Sequence, residues 1–119
     1  MRIFVKARGW NGIKSEHTLF FDGKSIVRSF DEPYTHIEAV FRAIIHALDL
    51  CSGGGEVILS DRVVLEQIRG TWPIRNSSLL PLLRQIEEKL GKSRTILRWL
   101  PKEKMKKEVL AYGKKESRE

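Results

Sequence analysis

The residues of this sequence that could bind a ligand are chiefly cations, and they fall into two groups. Arg69 and Arg75 flank Trp72 in a segment that contains a Trp-Pro pair. An exposed tryptophan can stack on a nucleic-acid base while neighbouring guanidinium groups bind phosphates. The second group comprises Lys102, Lys104, Lys106 and Lys107, directly after Pro101. Lysines at the start of a helix are unfavourable for the helix dipole, so this group indicates an external anion.

Both groups also have an interpretation that needs no ligand. Trp72 could pack onto neighbouring helices, and the four lysines could form an ordinary solvated helix face. Trp10, which lies near Arg8 and Lys14, has the same two interpretations. The sequence leaves both open for each group.

The histidines and the cysteine, the residue types that most often bind zinc or act as nucleophiles, are scattered along the chain. His17, His36, His46 and Cys51 show no zinc-ligand spacing, and no base or metal partner for the thiol is evident. A single cysteine also excludes an internal disulfide. We therefore expect these side chains to be surface or core residues without chemistry of their own.

The composition indicates one folded domain with a basic surface. Of the 119 residues, 41% are hydrophobic and 31% are charged, which is typical of a globular protein. The 22 basic and 15 acidic residues give a net charge of +7, which favours attraction to nucleic acid or another polyanion. No apolar run reaches the ~20 residues of a membrane span, and no signal-peptide pattern precedes the first strand-like run. We expect a cytoplasmic protein with no membrane partner.

Hydrophobic periodicity predicts the elements that must position these residues, in the order β-β-β-α-β-α-α-β-α. Residues 17–21 and 25–30 flank Asp22-Gly23, a strong signal for a β-hairpin. The meander at the start predicts antiparallel strands, and the later alternation with helices predicts parallel ones. The predicted strands are 2–7, 17–21, 25–30, 56–60 and 95–100, and the helices begin near residues 35, 61, 79 and 101.

Four stretches between about residues 37 and 111 carry a family resemblance. Residues 60–70, SDRVVLEQIRG, and 75–82, RNSSLLPL, resemble the S-D-S-x-L-V-V-x-Q-x-x-G and K-N-x-x-L-x-P-L motifs of the type I ribonuclease H family. Residues 98–103, RWLPKE, resemble its W-V-P-R-E, and 39–48, AVFRAIIHAL, its A-E-Y-R-A-L-I-A-G-L helix. The archaeal and bacterial short forms are the most similar.

The resemblance implies an α/β ribonuclease H-like fold. Its five-stranded mixed sheet would have an antiparallel β1-β2-β3 meander followed by parallel β4 and β5, with helices on both faces. We predict one such domain over residues 1–113 and a frayed tail over 114–119.

The family cleaves the RNA strand of an RNA–DNA hybrid, using four carboxylates that hold two magnesium ions. In this chain the resemblance puts the first acid at Lys6 or Ala7, and the second at Val40. None of these side chains can bind magnesium. Glu38 lies about 200° around the helix from Val40 and should not face the same site.

The last two places differ from each other. The third acid is present as Asp61, although a helix cap is an alternative role for this residue. The fourth place falls on Val109, or on Glu108 if one residue is deleted, and Glu108 could equally be a solvated helix residue. The fold is therefore expected without most of its metal ligands.

We therefore predict a catalytically inactive ribonuclease H-like domain that acts as a binding module and needs no cofactor. Its partner would be an RNA–DNA hybrid or duplex, bound without sequence specificity, or a protein. One alternative is a divergent Mg²⁺-dependent ribonuclease H that uses Asp61, Glu108 and another acid such as Glu38. Another is a scaffold or oligomeric assembly subunit, since the sequence does not specify the oligomeric state.

Overall fold

A five-stranded sheet with four α-helices forms the fold. The computed structural model describes residues 1–51 and 53–117, with side chains only as far as residue 109. The strands are β1 (Arg2–Arg8), β2 (Ser15–Phe21), β3 (Lys24–Phe30), β4 (Glu56–Leu59) and β5 (Ile96–Trp99). The helices are α1 (His36–Leu50), α2 (Arg62–Arg69), α3 (Leu80–Lys92) and α4 (Lys102–Ser117), and a 3₁₀ turn, Ser77–Leu79, precedes α3. The element order predicted from the sequence is confirmed.

The sheet is mixed, with strand order β3-β2-β1-β4-β5. β1 pairs antiparallel with β2, and β2 with β3, whereas β4 is parallel to both β1 and β5. The β2–β3 hairpin turns at Asp22 and Gly23, whose φ angles are 51° and 71°. Two successive positive φ angles match the right-handed twist of the flanking strands, which is why Asp-Gly favours this turn. The predicted sheet is thereby confirmed.

The two faces of the sheet bury separate apolar clusters. On one face, Ile3 and Val5 of β1 pack with residues of α1, α2 and α3, including Phe41. On the other face, Phe4 packs with Ile58 of β4 and Met105 of α4. Successive strand residues point to opposite faces, so β1 needs a continuous apolar run to fill both clusters. Helices therefore cover both faces, as predicted.

The carboxyl ends of β1 and β4 lie at the same edge of the sheet because these strands are parallel. α2 follows β4 at this edge. α4 follows β5, which is parallel to β4, so α4 begins at the same edge. The start of α1 is held close by a backbone hydrogen bond from Trp10 N–H, just after β1, to the Tyr34 carbonyl at 2.9 Å. Thr35 caps α1, its hydroxyl accepting from Glu38 N–H at 3.1 Å. This edge thus gathers the first turns of three helices.

Trp99 is the last residue of β5 and lies partly exposed. It is 37% exposed, and its Nε1–H donates to the Ser60 carbonyl at 3.2 Å. The Arg62 guanidinium lies 5.7 Å from its ring centroid. Because the strand ends at this residue, the indole lies at the sheet edge beside a cation instead of in the interior.

α4, the C-terminal helix, continues through Ser117. Residues 118–119, the end of the tail predicted over 114–119, lie outside the described part of the chain, and the predicted domain bounds remain a prediction. In the part that is described, no helix is long and apolar enough to cross a membrane.

Candidate functional site

A pocket of about 550 Å³ opens at the sheet edge where α1, α2 and α4 begin. Its apolar lining comes from β1, β2, β4, α1 and α4, namely Val5, Ala7, Phe20, Val40, Leu59, Met105 and Val109. Its polar lining residues are Lys6, His36, Ser60, Asp61, Lys102 and Lys106. Pockets of this size that combine apolar walls with a few polar groups are typical of ligand sites.

The four places that the resemblance assigns to acids all lie at this pocket. β1 pairs with β4 from Arg2 opposite Glu56 to Phe4 opposite Ile58, and Ala7 and Asp61, which lie beyond the carboxyl ends of this pairing, both line the pocket. Val40, on the buried face of α1, and Val109 of α4 complete the set. The structure therefore brings the four places together, and Asp61 is the one among them that carries a carboxylate.

Asp61 is engaged by a histidine that the sequence analysis did not connect with it. His36 Nε2 lies 3.0 Å from Asp61 Oδ2 and 3.2 Å from Oδ1. Asp61 precedes α2 at the N-cap position, but its side chain makes no capping hydrogen bond. The cap interpretation is therefore wrong for the side chain, because the carboxylate turns toward the first residue of α1. No pattern in the sequence predicts this pair, since the two residues are 25 positions apart and only the fold brings them together.

The two other candidate acids lie elsewhere. Glu38 Oε2 accepts from Arg42 Nη2 at 3.1 Å along the same helix, and Glu38 does not line the pocket. Glu108 Oε2 lies 3.8 Å from Arg2 Nη2, near the amino end of β1. The structure does not bring either residue to Asp61. In the described residues, no group of three or more His, Cys, Asp or Glu could hold a metal ion.

The pocket residues do not fit the two magnesium ions that the resemblance implies. Magnesium requires about six oxygen ligands in near-octahedral geometry. Among the side chains described up to residue 109, the oxygens that line the pocket are those of the Asp61 carboxylate, which is hydrogen bonded to His36, and of the Ser60 hydroxyl. The lysines that line the same pocket would repel a divalent cation, so no metal-dependent step follows from these residues.

The predicted lysine group divides between the pocket and the surrounding surface. Lys102 and Lys106 line the pocket, whereas Lys104 and Lys107, also exposed, do not. Lys6, predicted only as a replacement for an acid, joins the first two. None of these lysines forms an ion pair with an acid whose side chain the structure describes.

Arg69, Trp72 and Arg75 form a separate exposed group. Arg69 is the last residue of α2, whose eight residues extend about 12 Å from Asp61, and Trp72 and Arg75 lie in the segment that follows it. Gly70 ends this helix in the left-handed conformation, with φ 82°, and turns the chain into the loop. Trp72 is 45% exposed, so much of its ring remains accessible instead of packing on the helices. None of the three lines the pocket.

A buried histidine pair lies outside the pocket, between β2 and α1. His17 Nε2 and His46 Nδ1 are 3.0 Å apart, and His17 is only 2% exposed. Burial lowers the pKa of His17 to about 4, with help from the neighbouring His46 and Arg28. Burial, with a contribution from Arg28, also lowers the pKa of His46, although Asp49 opposes the shift. Both imidazoles are therefore neutral at pH 7.

Solved structures of other proteins share this architecture. No family model matches the chain, and no curated protein matches it. LC11-RNase H1, isolated from compost by a metagenomic approach, superposes with a TM-score of 0.74 at 16% identity, covering 93% of this chain and 90% of that one. RNase H1 of Halobacterium salinarum gives 0.69 at 12% identity over 97% and 95%. The N-terminal RNase H domain of a Mycobacterium tuberculosis protein gives 0.64 at 18% identity over 89% and 92%.

These likenesses and the sheet order define the chain as a protein with the ribonuclease H-like fold. The fold that the sequence motifs implied is confirmed.

Proposed function

We propose that this chain is a ribonuclease H-like domain that binds nucleic acid without cleaving it. The observation that carries the proposal is the composition of the pocket, where Ala7, Val40 and Val109 occupy three of the four expected acid positions. Hydrolysis by the two-metal route needs anionic oxygens that hold both ions in line with the scissile phosphate. One carboxylate, hydrogen bonded to an imidazole, cannot supply that arrangement.

The cationic surface supports the binding part of the proposal. Lys104 and Lys107 are exposed on α4, and Arg69 and Arg75 flank the accessible ring of Trp72. Ammonium and guanidinium groups contact phosphates irrespective of base sequence, and a tryptophan contributes ~1–3 kcal/mol per stacked base. The same fold occurs in a structure of LC11-RNase H1 in complex with an RNA/DNA hybrid, at a TM-score of 0.66 and 13% identity, covering 91% of each chain. We expect a hybrid or duplex as the ligand, with no metal cofactor.

Fluorescence anisotropy with a hybrid, a duplex DNA and a duplex RNA tests this function. We expect roughly micromolar affinity at low salt, with similar values for unrelated sequences, because phosphate contacts carry no sequence information. If about four phosphates are engaged, raising the salt from 50 to 200 mM should weaken binding about 100-fold through counterion release. No binding to any of the three at 50 mM salt would refute the proposal and favour a protein partner or an assembly role.

A matched pair of double variants localises the binding surface. Lys104→Glu with Lys107→Glu should weaken binding at least tenfold, since it converts two phosphate contacts to repulsions. The control, Arg84→Glu with Arg94→Glu, changes the net charge equally. Arg84 is exposed on α3, which packs over the opposite face of the sheet from α4, and Arg94 is exposed in the loop after α3. Equal losses in both double variants would show that net charge, and not the α4 surface, determines the affinity.

A further inference from the structure

We propose that the pocket binds a phosphomonoester carrying an apolar or aromatic group, such as a nucleoside monophosphate. This inference goes beyond duplex binding and concerns the interior of the pocket instead of the outer surface. It rests on three features of the pocket: its net charge, the convergence of its lysines and its apolar walls. The volume of about 550 Å³ is in the range of small-ligand sites.

The charges in the pocket favour a dianion. Lys6, Lys102 and Lys106 contribute three positive charges, and Asp61 contributes one negative charge, so the sum is 3 − 1 = +2. A phosphomonoester carries about −1.5 to −2 at pH 7, whereas a carboxylate or an internal phosphodiester carries about −1. The phosphomonoester therefore matches the unbalanced charge best.

The three lysines converge from two elements onto the same side of the sheet. Lys102 and Lys106 are four residues apart on α4, so they lie on one face of the helix, one turn apart. Lys6 shares a face of β1 with Phe4, and Phe4 packs against Met105, which lies between the two helix lysines. This placement brings three lysines to one pocket, and Asp61 is the one acid that lines it among the residues whose side chains are described.

The apolar lining accounts for the second half of the ligand. Ala7, Val40, Leu59 and Val109 cannot hydrogen bond through their side chains, and they line the pocket beside the lysines. A phosphate alone would leave these walls unfilled, whereas an attached base or other planar apolar group would cover them. The same chemistry could come from a free mononucleotide or from the phosphorylated end of a nucleic-acid strand.

Isothermal titration calorimetry with adenosine 5′-monophosphate, adenosine and inorganic phosphate tests the inference. We expect the monophosphate to bind at least tenfold more tightly than either fragment, since it alone engages both the lysines and the apolar walls. Equal affinity for adenosine and its monophosphate, or no heat from the monophosphate at millimolar concentration, would overturn the proposal.

A matched lysine pair separates a pocket from general surface charge. Lys106→Met should weaken binding of the monophosphate about tenfold or more, because a charge-assisted contact is lost. Lys104→Met removes the same charge from the same helix outside the pocket and should leave the affinity within about twofold. Both positions are exposed, so thermal unfolding should confirm that both variants fold. Equal losses would contradict a specific site.

Two oligonucleotides distinguish the sources of the ligand. Tighter binding of a 5′-phosphorylated single strand than of the same strand with a 5′-hydroxyl would identify a strand end as the occupant. Equal binding of the two strands, with the monophosphate still bound, would identify a free nucleotide. Either result supports the pocket, and neither depends on the duplex affinity that tests the proposed function.

Discussion

Lowering the pH from 7 to 4 should destabilise the protein through the buried histidine pair. His17 is buried between β2 and α1, with its Nε2 3.0 Å from His46 Nδ1. Its pKa is about 4 in the folded protein, against 6.5 for an unperturbed histidine. Between these values the unfolded chain binds a proton that the folded chain excludes. The contribution of His17 to stability is therefore complete above pH 6.5 and is lost as the pH falls toward 4.

The size of the effect follows from the difference of 2.5 pKa units between 6.5 and about 4. At 1.36 kcal/mol per unit, His17 should remove about 3 kcal/mol from the free energy of unfolding between pH 7 and pH 4. Burial is the main cause of the low pKa, with smaller contributions from His46 and Arg28. His46, whose pKa is also lowered, should add to the loss in the same direction.

Urea denaturation at half-unit pH steps measures this dependence. The variant His17→Leu should show a flatter loss of stability on acidification than the wild type, whatever its stability at pH 7. Ile86→Ala, which removes buried apolar volume and no titrating group, should lower the stability but keep the wild-type slope. If His17→Leu kept the full slope, the pair would not be the origin of the acid sensitivity, and the argument from burial would be refuted.

Two further predictions concern single side chains. Ile86 is fully buried beneath α1, so Ile86→Ala should lower the free energy of unfolding by ~2–5 kcal/mol in urea denaturation; a loss near zero would contradict the packing of α3. Asp61→Asn should cost less than about 1 kcal/mol in the same measurement, because the His36–Asp61 pair is partly exposed and the side chain does not cap α2. A cost as large as that of Ile86→Ala would reveal a role for Asp61 in a buried network.

Much of the fold could be predicted because its signals are local. The Asp22-Gly23 turn requires two positive φ angles, and the spacing of apolar residues such as Phe41 and Ile44 places one face of α1 against the sheet. Each of these two signals depends only on residues that are close together in the sequence. The order of strands then follows, because a meander and parallel crossovers leave few arrangements.

The candidate site was less accessible from the sequence. Motif positions led to Asp61 and Val40, but the partner of Asp61 is set by the packing of α1 beside β4. The contact of Glu108 with Arg2 likewise depends on how α4 crosses the sheet. Lys6 becomes a candidate binding residue only because the structure shows that it lines the same pocket as Lys102 and Lys106. Contacts between segments that are far apart in the sequence produce no periodic pattern from which they could be predicted.

The most direct test of the account is the fate of the RNA strand in a bound hybrid. The protein is incubated with an end-labelled RNA–DNA hybrid at a concentration that saturates binding by anisotropy, with Mg²⁺ or Mn²⁺, and the RNA is resolved on a denaturing gel. We predict a bound hybrid with an intact RNA strand, because one carboxylate lines the described part of the pocket where two metal ions would need several. Metal-dependent RNA cleavage that disappears in Asp61→Asn would contradict the account and favour a divergent ribonuclease H.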